Sequence, residues 1–282
     1  MDGRQPSLLL VTGADLGPFR IAEQRKIDGS RPVPLVELRW AAHIHQRTAL
    51  LPQLIDRLAN GSPRQRRSLI KSLESRSADL VSLGSDALAP FDRNASDWAP
   101  GWILQVIRRH QPDHLAQLLS STPEGWLSVA SAIGVDYIPL QQALLDEDFE
   151  TADRTTSSIL RQLAGPAAEA RGYVYFSEVP AMAGLDLVSL DRLWTVYSQG
   201  RFGFSMQARL LAGLDGRYER LWPRIGWKLD GTWTRYPGAF TWTIEAPEGH
   251  MPLINQLRGV RLMDALLNHP DLVTHRGSTG LS

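Results

Sequence analysis

The sequence predicts an all-α protein: a small N-terminal helical bundle followed by a second all-α domain with long loops. Three observations carry this reading. Apolar residues recur at helical spacing in one segment after another. Helix start and stop signals punctuate the chain, with Asn60-Gly61 closing one segment and Ser62-Pro63-Arg64-Gln65 opening the next. Strand-like runs are few, and the best of them, Tyr173–Phe176, is short.

In chain order, residues 1–33 mix glycine, proline and scattered charge and predict a poorly ordered arm. Helical periodicity runs from Val36 to Leu58. Ser62 is placed to cap the following helix, with Pro63 at its first position and Gln65 completing a capping box. Leu69, Ile70 and Leu73 continue this helix, and Arg64, Arg66 and Arg67 read as its solvated face. The turn-rich stretch Ser82–Gly101 links it to Trp102–Arg109, Leu115–Leu119 and Trp126–Ile133, all read as short helices. Residues 34–128 thus form the expected bundle.

The second domain, 129–275, carries helices over Gln141–Leu145 and Asp148–Leu163. In the longer one, Phe149, Ala152, Thr156, Ile159 and Leu163 repeat at helical spacing. Ser189 reads as the cap of a helix bearing Leu190, Leu193, Trp194 and Tyr197, and Ser205 as the start of another. A last helix is expected over Pro252–Leu267, and residues 276–282 form a tail. Between the last two helices lies IGWKLDGTWTRYPGAFTW (Ile225–Trp242), an aromatic-rich loop with no clean period.

Composition narrows the chemistry. The 282-residue chain has no cysteine and a formal net charge of zero. Disulfides, thiolate catalysis and thiolate metal sites are excluded, and bulk charge gives no reason to expect nucleic-acid binding. No apolar run reaches the ~18–20 residues that span a bilayer, and the N-terminus lacks a secretory leader pattern. A cytoplasmic protein is the default expectation. No P-loop, G-x-G-x-x-G, H-E-x-x-H or G-x-S-x-G word occurs. His43 and His45 would point to different helix faces, and Pro112 interrupts the pair His110 and His114. Asp148, Glu150 and Asp153 could form a metal-dependent site with a histidine, but acids at a helix start equally favour its dipole.

The aromatic loop and the following helix remain. Trp194, Trp222 and Trp242 read as core residues, and His250 as a hydrogen-bonded structural histidine. Gly231 and Pro237-Gly238 hold Trp233 and Tyr236 on a loop, which leaves open whether they are exposed. Asn255 and Arg258 are neighbours on one helix face, with Arg261 a further turn along. Rings beside a guanidinium suit a flat apolar ligand with an acidic edge. Two aromatic side chains on a loop also suit a carbohydrate-binding platform, the alternative function.

The words GVDYIPLQQALLDEDFETADRTT (Gly134–Thr156), LDRLWTVYSQGRFGFSMQARL (Leu190–Leu210), LWPRIGWKLDGTWTRYPGAFTW (Leu221–Trp242) and APEGHMPLINQLRGVR (Ala246–Arg261) occur in this order. With them the chain resembles the porphyrin-binding magnesium-chelatase accessory proteins of oxygenic phototrophs, the "genomes uncoupled" family, in its cyanobacterial form. The resemblance implies a C-terminal all-α domain shaped like a cupped hand. It implies a non-catalytic regulator that binds protoporphyrin IX and Mg-protoporphyrin IX, with no covalently bound cofactor. It further implies a monomer that stimulates magnesium chelatase through that enzyme's large porphyrin-binding subunit, in a cytoplasm and partly at the thylakoid surface through peripheral contact. The family's loop word x-W-T-R-W places a porphyrin-contacting ring at Trp233 and has Tyr236 in place of its second tryptophan. The family's N-Q-L-R-G-V-R word falls on Asn255, Arg258 and Arg261. On this reading Trp233, Tyr236 and Phe240 close over the macrocycle, and Arg258 holds a propionate.

Overall fold

Helix after helix is assembled around side chains that have no solvent face. The computed structural model describes residues 51–253 and 260–279, so the arm expected over 1–33, His43, His45 and the early part of the Val36–Leu58 helix lie outside the described residues. The first helices are α1 (Leu51–Asn60), α2 (Pro63–Glu74) and α3 (Ser77–Leu83), the last running into a 3₁₀ turn at Gly84–Ala87. The capping box of α2 forms as expected: Ser62 N donates to Gln65 Oε1 at 2.9 Å and Gln65 N donates to Ser62 Oγ at 3.4 Å. Ser62→Ala is expected to lower stability by about 1 kcal/mol, measurable as a shift in the urea midpoint; an unchanged midpoint would show that the cap is dispensable. Arg66 departs from the solvated-face reading. It pairs with Asp97 and lies 4.8 Å over the Trp98 ring, because the turn-rich linker folds back onto α2 and brings both partners to it.

The centre of the molecule is α4 (Ala99–His110). Its first nine residues, Ala99 to Ile107, are all buried, as a helix that is apolar nearly all round requires. A Cβ at Gly101 would come within 2.3 Å of the Val196 carbonyl oxygen, so glycine permits the close approach of α4 to α9 (Gly184–Val196). Gln105 Nε2 donates to Leu144 O (2.9 Å) and Tyr197 O (2.7 Å), joining α4 to the ends of α6 (Ile138–Leu145) and α9. After α4 come α5 (Pro112–Leu118) and, past α6, α7 (Phe149–Ala164) and α8 (Pro166–Arg171). Buried apolar residues form one continuous cluster from Leu51 to Leu272, across the expected boundary at 128/129.

Several local expectations are corrected. Trp126–Ile133 is irregular, not helical. Its amides are satisfied by side chains instead: Leu127 N donates to Gln141 Oε1 (2.9 Å), Ala132 N to Asp186 Oδ2 (2.9 Å) and Ile133 N to Ser131 Oγ (3.2 Å). Ser189 lies inside α9, and its hydroxyl donates to Ala130 O at 2.7 Å. The helix starts five residues earlier, at Gly184. Tyr173–Phe176 is not a strand; it leads into a 3₁₀ turn at Phe176–Ala181. The helix expected to start at Ser205 does so to within one residue, as α10 (Phe204–Ala212), and α11 (Tyr218–Arg224) follows.

The aromatic segment contains a small hairpin, β1 (Lys228–Leu229) with β2 (Thr232–Trp233), turned by Asp230 and Gly231 at φ of 47° and 78°. Two positive φ values in succession match a two-residue Asp-Gly hairpin turn. After residue 259 the chain forms α12 (Val260–Leu267) and then α13 (Pro270–Thr279), so part of the expected tail is helical. Pro270 opens α13 where no N–H is needed, which ends one helix and begins the next. Among the described residues no helix is long and apolar enough to cross a membrane.

Candidate functional site

The aromatic residues of the segment first build a core of their own. Trp227 is buried, stacks on Trp222 (centroids 5.6 Å apart, planes at 7°) and donates from Nε1 to His250 O at 2.8 Å. Trp233 leans on Trp222 from the hairpin, with centroids 5.5 Å apart. Further along, Phe240 packs against Tyr236, Trp242 and His250 at centroid separations of 6.2, 5.8 and 5.2 Å. His250 is structural, as its turn predicted. Its Nδ1 lies 2.6 Å from Ile225 O, Nε2 accepts from Thr241 N at 3.3 Å, and burial holds the imidazole below its ordinary pKa. Gln207 Nε2 donates to Gly249 O (3.0 Å) and Pro252 O (2.9 Å), tying the segment's far end to α10. A loop without periodicity is thereby held in one shape.

Two rings stay uncovered. Trp233 is 37% exposed and Tyr236 49%. Both face a cleft of about 850 Å³, within the range of pockets that enclose a sizeable organic ligand. One wall is the face of α7 carrying Asp153, Arg154, Ser157, Leu160 and Arg161. Leu253 and the α12 residues Leu262 and Leu266 form an apolar floor with Met182 and Val174. Trp233, Thr234, Arg235 and Tyr236 form the remaining side. From Asp153 to Arg161 is eight residues, about 12 Å along the helix.

The cleft is apolar within and cationic at its edges. Among the described residues, Arg161 and Arg235 have no carboxylate partner. Arg154 pairs with Glu150 and lies beside the Tyr236 phenol. Burial, and the Asp153 carboxyl nearby, raise the Tyr236 hydroxyl above its ordinary pKa, so at neutral pH it is a neutral donor. Asp153 is itself buried, and its Oδ1 accepts from Leu253 N at 2.7 Å. Burial raises its carboxyl to about 7.

The structure brings together only part of the expected site. Trp233 and Tyr236 line the cleft. Phe240 does not: it is buried at 6% exposure behind Tyr236 and supports that ring from below. Its contacts with Trp242, itself only partly buried and not the core residue expected, and with His250 leave it no free face. Arg261 is exposed, and its guanidinium lies 5.4 Å over the Phe176 ring, off the cleft lining. Asn255 and Arg258 lie outside the described residues. Asp148, Glu150 and Asp153 do not gather around a common point. Asp148 caps α7 by accepting from Thr151 N (3.1 Å), Glu150 pairs with Arg154, and Asp153 holds Leu253. Sequence reasoning missed Arg154, Arg161, Arg235 and the cleft role of Asp153. The available signal was the second stripe of α7, with Asp153, Ser157 and Leu160 at i, i+4 and i+7.

Residues 130–270 match the family model described as GUN4-like. A Ycf53-like protein from Synechocystis sp. is 46% identical over 173 residues, covering 61% of this chain and 74% of its own. The chloroplastic tetrapyrrole-binding protein of Arabidopsis thaliana is 37% identical over 150 residues, covering 50% of this chain and 57% of its own. The solved structure of GUN4 from Chlamydomonas reinhardtii is 32% identical, with a TM-score of 0.50, covering 54% of this chain and 97% of that one.

Proposed function

The chain belongs to the GUN4-like family, and on that premise we propose that its cleft binds tetrapyrroles, protoporphyrin IX and Mg-protoporphyrin IX, and that the protein regulates rather than catalyses. The observation that carries this reading is the cleft itself: two exposed rings facing an apolar floor, with Arg161 and Arg235 in the lining and without a carboxylate partner among the described residues. A tetrapyrrole is a flat apolar ring with carboxylates on one edge. The floor and the Trp233 and Tyr236 rings cover its body, each ring adding ~1 kcal/mol beyond burial. Arg161 and Arg235 supply charge for the carboxylate edge; the sequence motif alone names Arg258 for the same role.

Tyr236 keeps a ring where the family word has tryptophan and adds a hydroxyl, which the Arg154 guanidinium meets. In this reading the bound tetrapyrrole is presented to, or withdrawn from, the large porphyrin-handling subunit of magnesium chelatase, raising its output in chlorophyll synthesis, with peripheral membrane contact at the thylakoid. A carbohydrate platform fits less well, because both rings line a concave cleft instead of an open face.

The test is a titration of deuteroporphyrin, a soluble analogue, followed by tryptophan fluorescence. Saturable quenching is expected in the wild type. Trp233→Ala and Arg258→Ala should each weaken binding about tenfold, ~1.4 kcal/mol. Equal binding in all three would move the ligand away from this cleft. No saturable quenching in the wild type would sink the proposal outright.

A further inference from the structure

One cation of the cleft lacks a counter-charge in a place where that is costly. Arg161 sits in the last turn of α7, half-buried, in the cleft lining. The positions one turn away along the chain are Ser157, Ser158, Ala164 and Gly165, so α7 offers it no acid there. Acids on the neighbouring elements are engaged elsewhere. Glu150 pairs with Arg154, and Glu178 pairs with Arg171, whose Nη2 reaches both its oxygens at 2.8 and 2.7 Å. Asp153 holds Leu253 N from two turns further back. The other arginines of the lining differ from Arg161. Arg154 is closed on Glu150, and Arg235 is exposed on its loop, where water screens its charge. A half-buried guanidinium gives up hydration without return, unless an occupant of the cleft brings an anion.

The form of that anion follows from the guanidinium. Its planar fork matches a carboxylate through two parallel N–H···O bonds. Esterification removes the charge and places an alkyl group on one of the two oxygens. The flat ring of a tetrapyrrole is untouched by this change. Trp233 and Tyr236, which meet the ring, therefore cannot tell carboxylate from ester. That choice falls to the cation.

We propose that Arg161 binds one free carboxylate of the ligand, and that the cleft therefore takes the carboxylate form of a tetrapyrrole and discriminates against its esters. This rests on the reading of the cleft as a tetrapyrrole site. Trp233 and Tyr236 select a flat ring, and Arg161 selects among flat rings for one with an uncapped side arm. The two selections are separable, because Arg161 enters from α7 and the rings from the aromatic segment.

The experiment titrates deuteroporphyrin and its dimethyl ester, in the same detergent, into wild type, Arg161→Gln and Arg161→Lys, followed by tryptophan fluorescence. The wild type is expected to bind the dicarboxylate at least about tenfold more tightly than the ester. Arg161→Gln should lose about tenfold on the dicarboxylate and no more than about twofold on the ester, which offers the arginine no charge. Arg161→Lys keeps the charge without the fork and should fall between. An equal loss on both ligands in Arg161→Gln would mean that the side chain packs and does not pair. No loss on either would place the carboxylate elsewhere, and both outcomes overturn the assignment. Should Arg161→Gln fail to fold, Arg161→Lys carries the comparison, and a dicarboxylate-to-ester ratio equal to that of the wild type overturns it. Failure of the wild type to bind either ligand overturns the cleft reading itself; equal binding of the two overturns only this inference.

Discussion

Trp227→Ala is expected to lower the unfolding free energy by about 3–5 kcal/mol, whereas Trp233→Ala, six residues on, should lower it by no more than ~1 kcal/mol. Trp227 is 1% exposed, stacks on Trp222 and donates to the His250 carbonyl. Its own carbonyl accepts from Thr234 N at 3.0 Å, which closes the hairpin beneath Trp233. Removing the indole therefore leaves a cavity, an unsatisfied carbonyl at His250, and a Trp222 face with no partner. The urea midpoint of each variant reads the stability loss, and deuteroporphyrin titration reads binding. Trp227→Ala should lose both stability and affinity, and Trp233→Ala affinity almost alone. Equal destabilisation by the two would mean that the exposed ring is structural and that the cleft has no free aromatic wall.

That split explains why the aromatic segment was only half legible. Its richness in rings read correctly as significant, but five rings without a period gave no way to sort those that face inward. Burial here is set by what each ring meets in three dimensions: Trp227 meets Trp222 near the end of α11, where the chain turns back on that helix, and Phe240 meets His250 from across a loop. The Asp230-Gly231 pair was the one local signal that would have turned "loop" into "hairpin", and it placed Trp233 on a strand end.

Elsewhere, legibility followed how local the determining contacts are. The all-α class, the Ser62 capping box and the buried stripe of α7 from Phe149 to Leu163 are set within a turn or two of chain, and each reads directly. Ser189 looked like a cap because caps and buried hydroxyls share residue types; its actual partner, Ala130 O, lies 59 positions away in sequence. The segment Trp126–Ile133 has enough apolar residues for a helix, yet distant side chains such as Gln141 and Asp186 claim its amides. Asp153 is the sharpest case. Its place near the start of α7 made it look like an ordinary dipole-favouring acid, and only the return of Leu253, 100 positions later, buries it.

The burial of Asp153 has a consequence for stability that runs opposite to the usual carboxylate. Burial raises its carboxyl to about 7 from an ordinary 3.8, against the lowering pull of the Leu253 N–H bond and the Arg154 charge. The unfolded chain surrenders this proton near pH 4; the folded chain keeps it until about pH 7. Between those values the folded state binds more protons, so stability falls as pH rises. The contribution is fully present below pH 4 and is lost by the time pH has passed through 7. The three-unit interval caps the effect at ~4 kcal/mol, and relaxation of the site brings it nearer ~2 kcal/mol. Asp153→Asn carries no titrating proton, so its stability should lack this decline. His250, held low by burial, pulls the other way, and Asp191, raised by burial, pulls the same way. The informative quantity is therefore the difference between wild type and Asp153→Asn, measured by urea unfolding at pH 4.5, 6 and 8. That difference should move by about 2 kcal/mol in favour of the asparagine variant from the first to the last. Parallel profiles would mean that Asp153 is already ionised in the folded protein at low pH. The cleft floor would then carry a fixed negative charge, and Tyr236 and Arg154 would have to be its compensating neighbours.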